Sequence, residues 1–152
     1  MDNERRFIMA FKIIDGTPIN TLLMLAGTGG VTAEGLVVVS SGKAVKAAQP
    51  ISAATLVGIA RATVASGSYV TVDLIENHLL EANFTGSSKT SLADSDLATV
   101  FDVASETALN LDDTTGGTFV CGGNGIAGVA GSWYDNGNLL VRGKFTSASR
   151  YI

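Results

Sequence analysis

Residues 69–76 read Tyr69-Val70-Thr71-Val72-Asp73-Leu74-Ile75-Glu76. In an extended chain Val70, Val72 and Leu74 fall on one face and Thr71 and Asp73 on the other, which is the period-2 pattern of a half-buried strand. Working outward, similar short β-like runs recur at Leu36 to Val39, Lys43 to Ala47, Leu56 to Thr63, Leu79 to Phe84, Leu97 to Val103, Thr118 to Cys121 and Leu139 to Phe145. Turn-forming clusters separate them: Ser40-Ser41-Gly42, Ala65-Ser66-Gly67-Ser68, Thr85-Gly86-Ser87-Ser88, Asp112 to Gly117 and Asp135-Asn136-Gly137-Asn138. Short strands at spacings of about 8–15 residues with turns between them predict an all-β barrel or sandwich.

The sharpest local signal is Asn136-Gly137. Asn tolerates and Gly freely adopts positive φ, so the pair predicts a type I′ hairpin with Ser132 to Tyr134 entering and Leu139 to Phe145 leaving. A Ser-Gly turn at residues 66–68 is expected to join the strand ending near Thr63 to the one starting at Tyr69. Helix is expected in two places only. Thr17 to Ala26 has Thr17 as N-cap and Pro18 at the first helical position; Ser91 to Ala98 offers a single turn capped by Ser91.

Residues 1–30 differ from the rest. They hold Arg5, Arg6 and Lys12 together with Phe7, Ile8, Met9, Phe11, Ile13 and Ile14. Gly27-Thr28-Gly29-Gly30 follows and reads as a hinge. Two readings stand: a first strand and helix packed on the barrel, or an extended N-terminal arm that adds to a neighbouring subunit, because exposed apolar residues at a terminus need a partner. The division expected is therefore 1–30, arm or first packing segment, and 31–152, a β-barrel domain.

Composition narrows the function. The 152 residues carry a formal charge of -4, so no basic footprint for nucleic acid exists. Charged residues make up 16% of the chain, against about 25% in soluble domains. The 18 glycines are about 12% of the chain against a usual value of about 7%, which marks it as turn-rich. No run approaches the roughly 18 apolar residues of a membrane-spanning helix, and the Lys12 charge spoils Phe7 to Ile14 as a signal peptide. A soluble chain made inside the cell is the default expectation, with no membrane partner.

Candidate chemistry is thin. The chain has a single histidine, His78, and a single cysteine, Cys121, which assemble neither a common zinc site nor an internal disulfide. His78 beside Asn77 reads as an exposed turn residue, not a general base, and Cys121 as a small core hydrophobe. Gly123-Asn124-Gly125-Ile126-Ala127-Gly128 matches G-x-G-x-x-G literally but lacks the βαβ unit that dinucleotide binding requires. Ser41-Gly42-Lys43 lacks the rest of a phosphate loop. Asp94-x-Asp96 and Asp112-Asp113 lack the remaining ligands of a Ca²⁺ loop and read as turn residues. Glu76 and Glu81 with Trp133 and Tyr134 define the competing reading, a small ligand-binding or hydrolytic β-barrel. The expectation is a chain with no catalytic residues, no metal and no cofactor.

Several segments resemble tailed-phage capsid decoration (head cement) proteins of the lambda-like kind. The first is Ala33-Glu34-Gly35-Leu36-Val37-Val38-Val39-Ser40-Ser41-Gly42-Lys43-Ala44-Val45-Lys46-Ala47-Ala48. It is followed by Val57-Gly58-Ile59-Ala60 and Gly67-Ser68-Tyr69-Val70-Thr71-Val72. The third runs from Leu92 to Val103 with Asn110-Leu111-Asp112 downstream, ending at Leu139 to Phe145. The likeness covers most of residues 33–145, with an N-terminal segment longer and more apolar than in the simplest members. It implies a small β-barrel or β-tulip-like domain with short helical turns, acting without catalysis as a structural virion protein. Made in the host cytoplasm, such a protein sits on the outer surface of the expanded capsid as a homotrimer and clamps neighbouring major capsid protein subunits. Phe7, Ile8, Met9, Phe11 and Ile13 are the expected capsid or intersubunit contacts. Another phage structural β module, of a tail tube or head fibre, is the nearest alternative.

Overall fold

The computed structural model describes residues 10–48, 55–115, 117–122 and 133–146, without the Leu56 side chain. Twelve strands lie among them: β1 (Phe11–Ile13), β2 (Thr21–Leu25), β3 (Leu36–Ser40), β4 (Lys43–Lys46), β5 (Leu56–Ala60), β6 (Tyr69–Leu74), β7 (Leu80–Thr85), β8 (Val100–Ser105), β9 (Ala108–Asn110), β10 (Phe119–Cys121), β11 (Tyr134–Asp135) and β12 (Leu140–Phe145). The class is all-β. One sheet runs β1-β7-β9-β8-β10-β12-β11, and β7 also pairs β12, so β7, β9, β8, β10 and β12 close into a five-stranded barrel carrying β1 and β11 as additions. All of its ladders are antiparallel except β7–β9. The second sheet runs β2-β6-β5-β3-β4 and is antiparallel throughout. A parallel bridge between Ala26 and Ala44 draws its two outer strands together.

The alternation of residues 69–74 places Val70, Val72 and Leu74 in the core of the second sheet, with Val70 opposite Met24 and Val72 opposite Leu22. The run Leu36-Val37-Val38-Val39 does not alternate, because β3 is covered on both sides: Leu36 packs with the barrel core and Val37 with the core of the second sheet. A strand buried on both faces reads as a continuous apolar run. In the barrel core Phe119 meets Phe145 edge-to-face at 5.2 Å, and Phe11 lies 6.0 Å from the same ring.

Several sequence expectations need correction. Thr17 to Ala26 is not helical. The Asp15 carboxylate accepts both the backbone N–H and the hydroxyl of Thr17, which closes a turn there, and Thr21 to Leu25 then pairs with β6 as β2. Gly27 to Gly30 is a pinned turn and not a hinge. The Gly27 N–H donates to the Ala44 carbonyl at 2.7 Å and the Gly30 N–H to the Gly27 carbonyl at 3.0 Å. Gly30 has φ +69 and no room for a Cβ beside the Val64 carbonyl.

The 134–141 hairpin forms, but its loop holds four residues and the left-handed position falls on Leu139 (φ 57) instead of the Asn-Gly pair. Asp135 accepts the N–H groups of Gly137 and Asn138. Asn136 is taken by Leu92, accepting its N–H at 2.8 Å and donating to its carbonyl at 2.9 Å. Finally, His78 is not an exposed turn residue: it is only 7% exposed, held against Asp15. The single turn expected within residues 91–98 appears as a 3-10 turn at Asp94–Asp96, but its N-cap is Ala93 and not Ser91, because the Asp96 carboxylate accepts the Ala93 N–H at 2.9 Å; β9, three residues without a readable alternation, had no sequence signal.

Candidate functional site

Between β1, the 14–20 connection and the outer side of β5 and β6 lies a cleft of about 370 Å³. Phe11, Ile13, Ile19, Ile59 and Ala60 give it an apolar lining, and Lys12, Glu34, Arg61 and Asp73 give it two charges of each sign. Arg61 and Asp73 are brought together by the β5–β6 ladder, and the Arg61 Nε–H donates to the Asp73 carboxylate at 2.7 Å. The pair is partly exposed, so it contributes at most about 1 kcal/mol. Glu34 holds φ 66 in the turn before β3. A left-handed conformation of this kind costs a non-glycine residue roughly 1–2 kcal/mol. The Glu34 N–H donates to the Ala60 carbonyl and its carbonyl accepts from Phe11 N–H, which ties the turn to both walls of the cleft.

The outer face of the β2–β6 pair adjoins this cleft. Thr21, Leu23 and Leu25 lie directly opposite Asp73, Thr71 and Tyr69, and opposed residues share a face. Leu23 is 64% and Tyr69 65% exposed. Their in-between neighbours, Met24 and Val70, point into the core.

Below the cleft, Asp15 organises the 14–20 connection. Its carboxylate accepts the Leu79 N–H at 2.9 Å and the Thr17 hydroxyl at 2.9 Å, and lies 3.1 Å from His78 Nδ1. Burial opposes the charge, but the donors from Leu79, His78 and Thr17 outweigh it and hold the carboxyl far below the usual carboxylate range. His78 Nδ1 faces both the Asp15 carboxylate and, at 3.1 Å, the Thr17 hydroxyl, and the ring is held in this cluster.

The remaining sequence candidates are mostly structural. The Cys121 thiol is buried in the barrel, and burial, reinforced by the Asp96 charge and opposed by Lys89, pushes it up to about 12. A thiol so far from ionisation is unreactive. Asp112 accepts the N–H groups of Ser87, Ser88 and Lys89, and Asp113 accepts that of Thr115. Asp96 pairs with Lys89 at 2.9 Å, and Asp94 accepts the Tyr134 hydroxyl. Trp133 is 5% exposed and packs edge-on to Tyr134 at 4.8 Å, so it is a hairpin packing residue. Glu81 pairs with Arg142 at 3.0 Å. Ser41 and Gly42 form the β3–β4 turn with φ 51 and 76. No group of three metal-ligating side chains is found among the described residues. The 123–128 glycine motif lies outside them.

Of the expected contact residues, Phe7, Ile8 and Met9 lie outside the described residues. Phe11 is 2% exposed, inside the barrel core of its own chain, while Ile13 lies half-buried at the cleft. Sequence reasoning missed Ile19, Glu34, Ile59, Arg61 and Asp73 as one site. The available signal was Arg61, the single cation between Lys46 and Lys89, closing an apolar strand one turn away from an Asp in the next. The sequence matches no protein-family model and no curated protein.

Proposed function

We propose that this chain is a structural virion protein that binds the outer surface of an expanded phage capsid and stabilises it by clamping neighbouring major capsid protein subunits, acting as a homotrimer and without catalysis. The observation that carries the reading is the outward face of β2 and β6, where Leu23 and Tyr69 each expose about two-thirds of their surface beside Leu25, Thr21 and Thr71. A contiguous apolar face rimmed by hydroxyls and one ion pair suits attachment to another protein. The resemblance of residues 33–145 to head decoration proteins supplies the partner. The low charge density agrees with a surface spent on neighbours, and attachment of several subunits at once multiplies individually modest contacts.

The test is co-sedimentation of the purified chain with expanded, undecorated heads. Saturable binding is expected, with at least a tenfold loss for the Leu23→Asp, Tyr69→Asp double variant at unchanged melting temperature. Wild-type binding by that variant removes this face from the interface, and no binding by the wild-type chain overturns the capsid reading.

A further inference from the structure

Residues 86–98 link β7 to β8 as a strap that other segments hold in place. Near its start the Asp112 carboxylate accepts the N–H groups of Ser87, Ser88 and Lys89. Near its end the Tyr134 hydroxyl donates to Asp94, and the Ala98 N–H donates to the Cys121 carbonyl at 3.0 Å. In the middle, Leu92 is buried in the barrel core, and one side chain meets both of its backbone groups. The Asn136 side-chain oxygen accepts the Leu92 N–H at 2.8 Å, and the Asn136 amide donates to the Leu92 carbonyl at 2.9 Å. A primary amide suits this place because it holds a donor and an acceptor side by side, whereas a carboxylate holds acceptors alone.

Gly137 follows Asn136, and a glycine nitrogen carries no Cβ beside it to hinder attack on the preceding side chain. We propose that Asn136 is a deamidation site that the fold keeps closed, and that its conversion releases the strap. The Gly137 nitrogen bonds to the Asn136 Cγ, the Cγ–Nδ2 bond breaks, and Nδ2 leaves as ammonia with the proton from Gly137. Water then opens the five-membered imide on either side, leaving aspartate or isoaspartate at position 136. Both reacting groups are engaged in the folded chain. The amide is not free to turn while both its atoms are bonded to Leu92, and the Gly137 N–H donates to the Asp135 carboxylate at 3.0 Å, whose charge disfavours loss of that proton. Two hydrogen bonds shift an opening equilibrium by roughly 5–30-fold, so conversion runs through the locally opened hairpin. Afterwards a carboxylate faces the Leu92 carbonyl with no proton to give, and that carbonyl loses its donor. Cys121 lies under the end of the strap. Ala98 bonds to its carbonyl, the Asp96 and Lys89 charges act on its thiol, and Leu97 fills the space that a Cβ on Gly122 would take. Release of Leu92 therefore uncovers the buried thiol.

The full chain is kept at mildly alkaline pH, folded or in urea, and conversion at position 136 is followed by peptide mapping with mass spectrometry, which separates it from the second Asn-Gly pair, Asn124-Gly125. Conversion is expected in urea and at least fivefold more slowly in the folded chain. Labelling of Cys121, the single thiol, by a maleimide at neutral pH reads the strap. It is expected to quicken at least tenfold in Asn136→Asp. It is also expected to quicken in wild-type chain aged until mapping shows conversion, but not in Gly137→Ala aged alongside. The methyl group of that variant hinders the attack and stands 3.4 Å from an Asp135 carboxylate oxygen, an ordinary contact. No conversion at position 136 in urea overturns the site. Equal rates folded and in urea overturn its closure by the fold, and unchanged labelling of a folded Asn136→Asp chain overturns the release. Where Asn136→Asp does not fold, the aged chains decide: labelling that rises no further in wild type than in Gly137→Ala overturns the release.

Discussion

Asp15 shows how one side chain organises a connection. Its contacts to Thr17, His78 and Leu79 replace the helix that Thr17-Pro18 suggests, because a carboxylate already present two residues upstream takes the Thr17 donors first. The same contacts make it a determinant of acid stability. Its folded pKa is lowered, below the value of about 3.9 that an unfolded chain gives it. Its contribution is therefore fully present above about pH 5 and is lost as pH falls below about 4. Asp15→Asn is expected to cost about 2 kcal/mol at pH 7, the scale of hydrogen bonds to a charged group. It is also expected to flatten the dependence of melting temperature on pH between 5 and 3. Parallel curves for the variant and wild type, followed by circular dichroism, would remove Asp15 from the acid response.

At the scale of elements, barrel closure depends on the approach of β12 to both neighbours. Gly143 lies opposite Cys121 of β10 and Leu80 of β7. A Cβ at that position collides with the Val120 carbonyl oxygen and the Phe119 ring. Neither β10 backbone nor a packed ring in a core yields freely, so Gly143→Ala is expected to destabilise by about 3 kcal/mol, read as a shift in the urea midpoint. A change below about 0.5 kcal/mol, the range of an unconstrained surface site, would show that β12 is free to shift. The 134–141 hairpin also shows what a turn signal is worth. The Asn-Gly pair located the hairpin, yet Asn136 is drawn off to bridge Leu92 in a distant segment, and the left-handed residue moves to Leu139.

The whole molecule joins its two sheets through shared residues. Leu36 and Ile59 belong to strands of the second sheet but pack into the barrel core. The barrel therefore loses part of its core when the second sheet opens, and the two are expected to unfold together. Trp133 fluorescence, which reports the barrel, and far-ultraviolet circular dichroism, which reports both sheets, should give coincident urea transitions. Separate midpoints would show two independent cores.

Strand positions were legible because alternation and turn residues belong to consecutive positions, as in Tyr69 to Leu74 and the glycine-centred turns. The strand-like run from Thr118 pointed to Cys121 as a small core hydrophobe, and the barrel buries it. What the linear chain could not contain was partner choice. The closing of β7 on β12, the double burial of β3, the pairing of His78 with Asp15 and the meeting of Ile13, Ile19, Ile59, Arg61 and Asp73 in one cleft all join residues far apart in sequence. The sequence alone determined a turn-rich all-β chain of low charge. Tertiary packing alone decided, among the described residues, which strands lie at the sheet edges and which apolar side chains face outward, because both depend on where the ladders end.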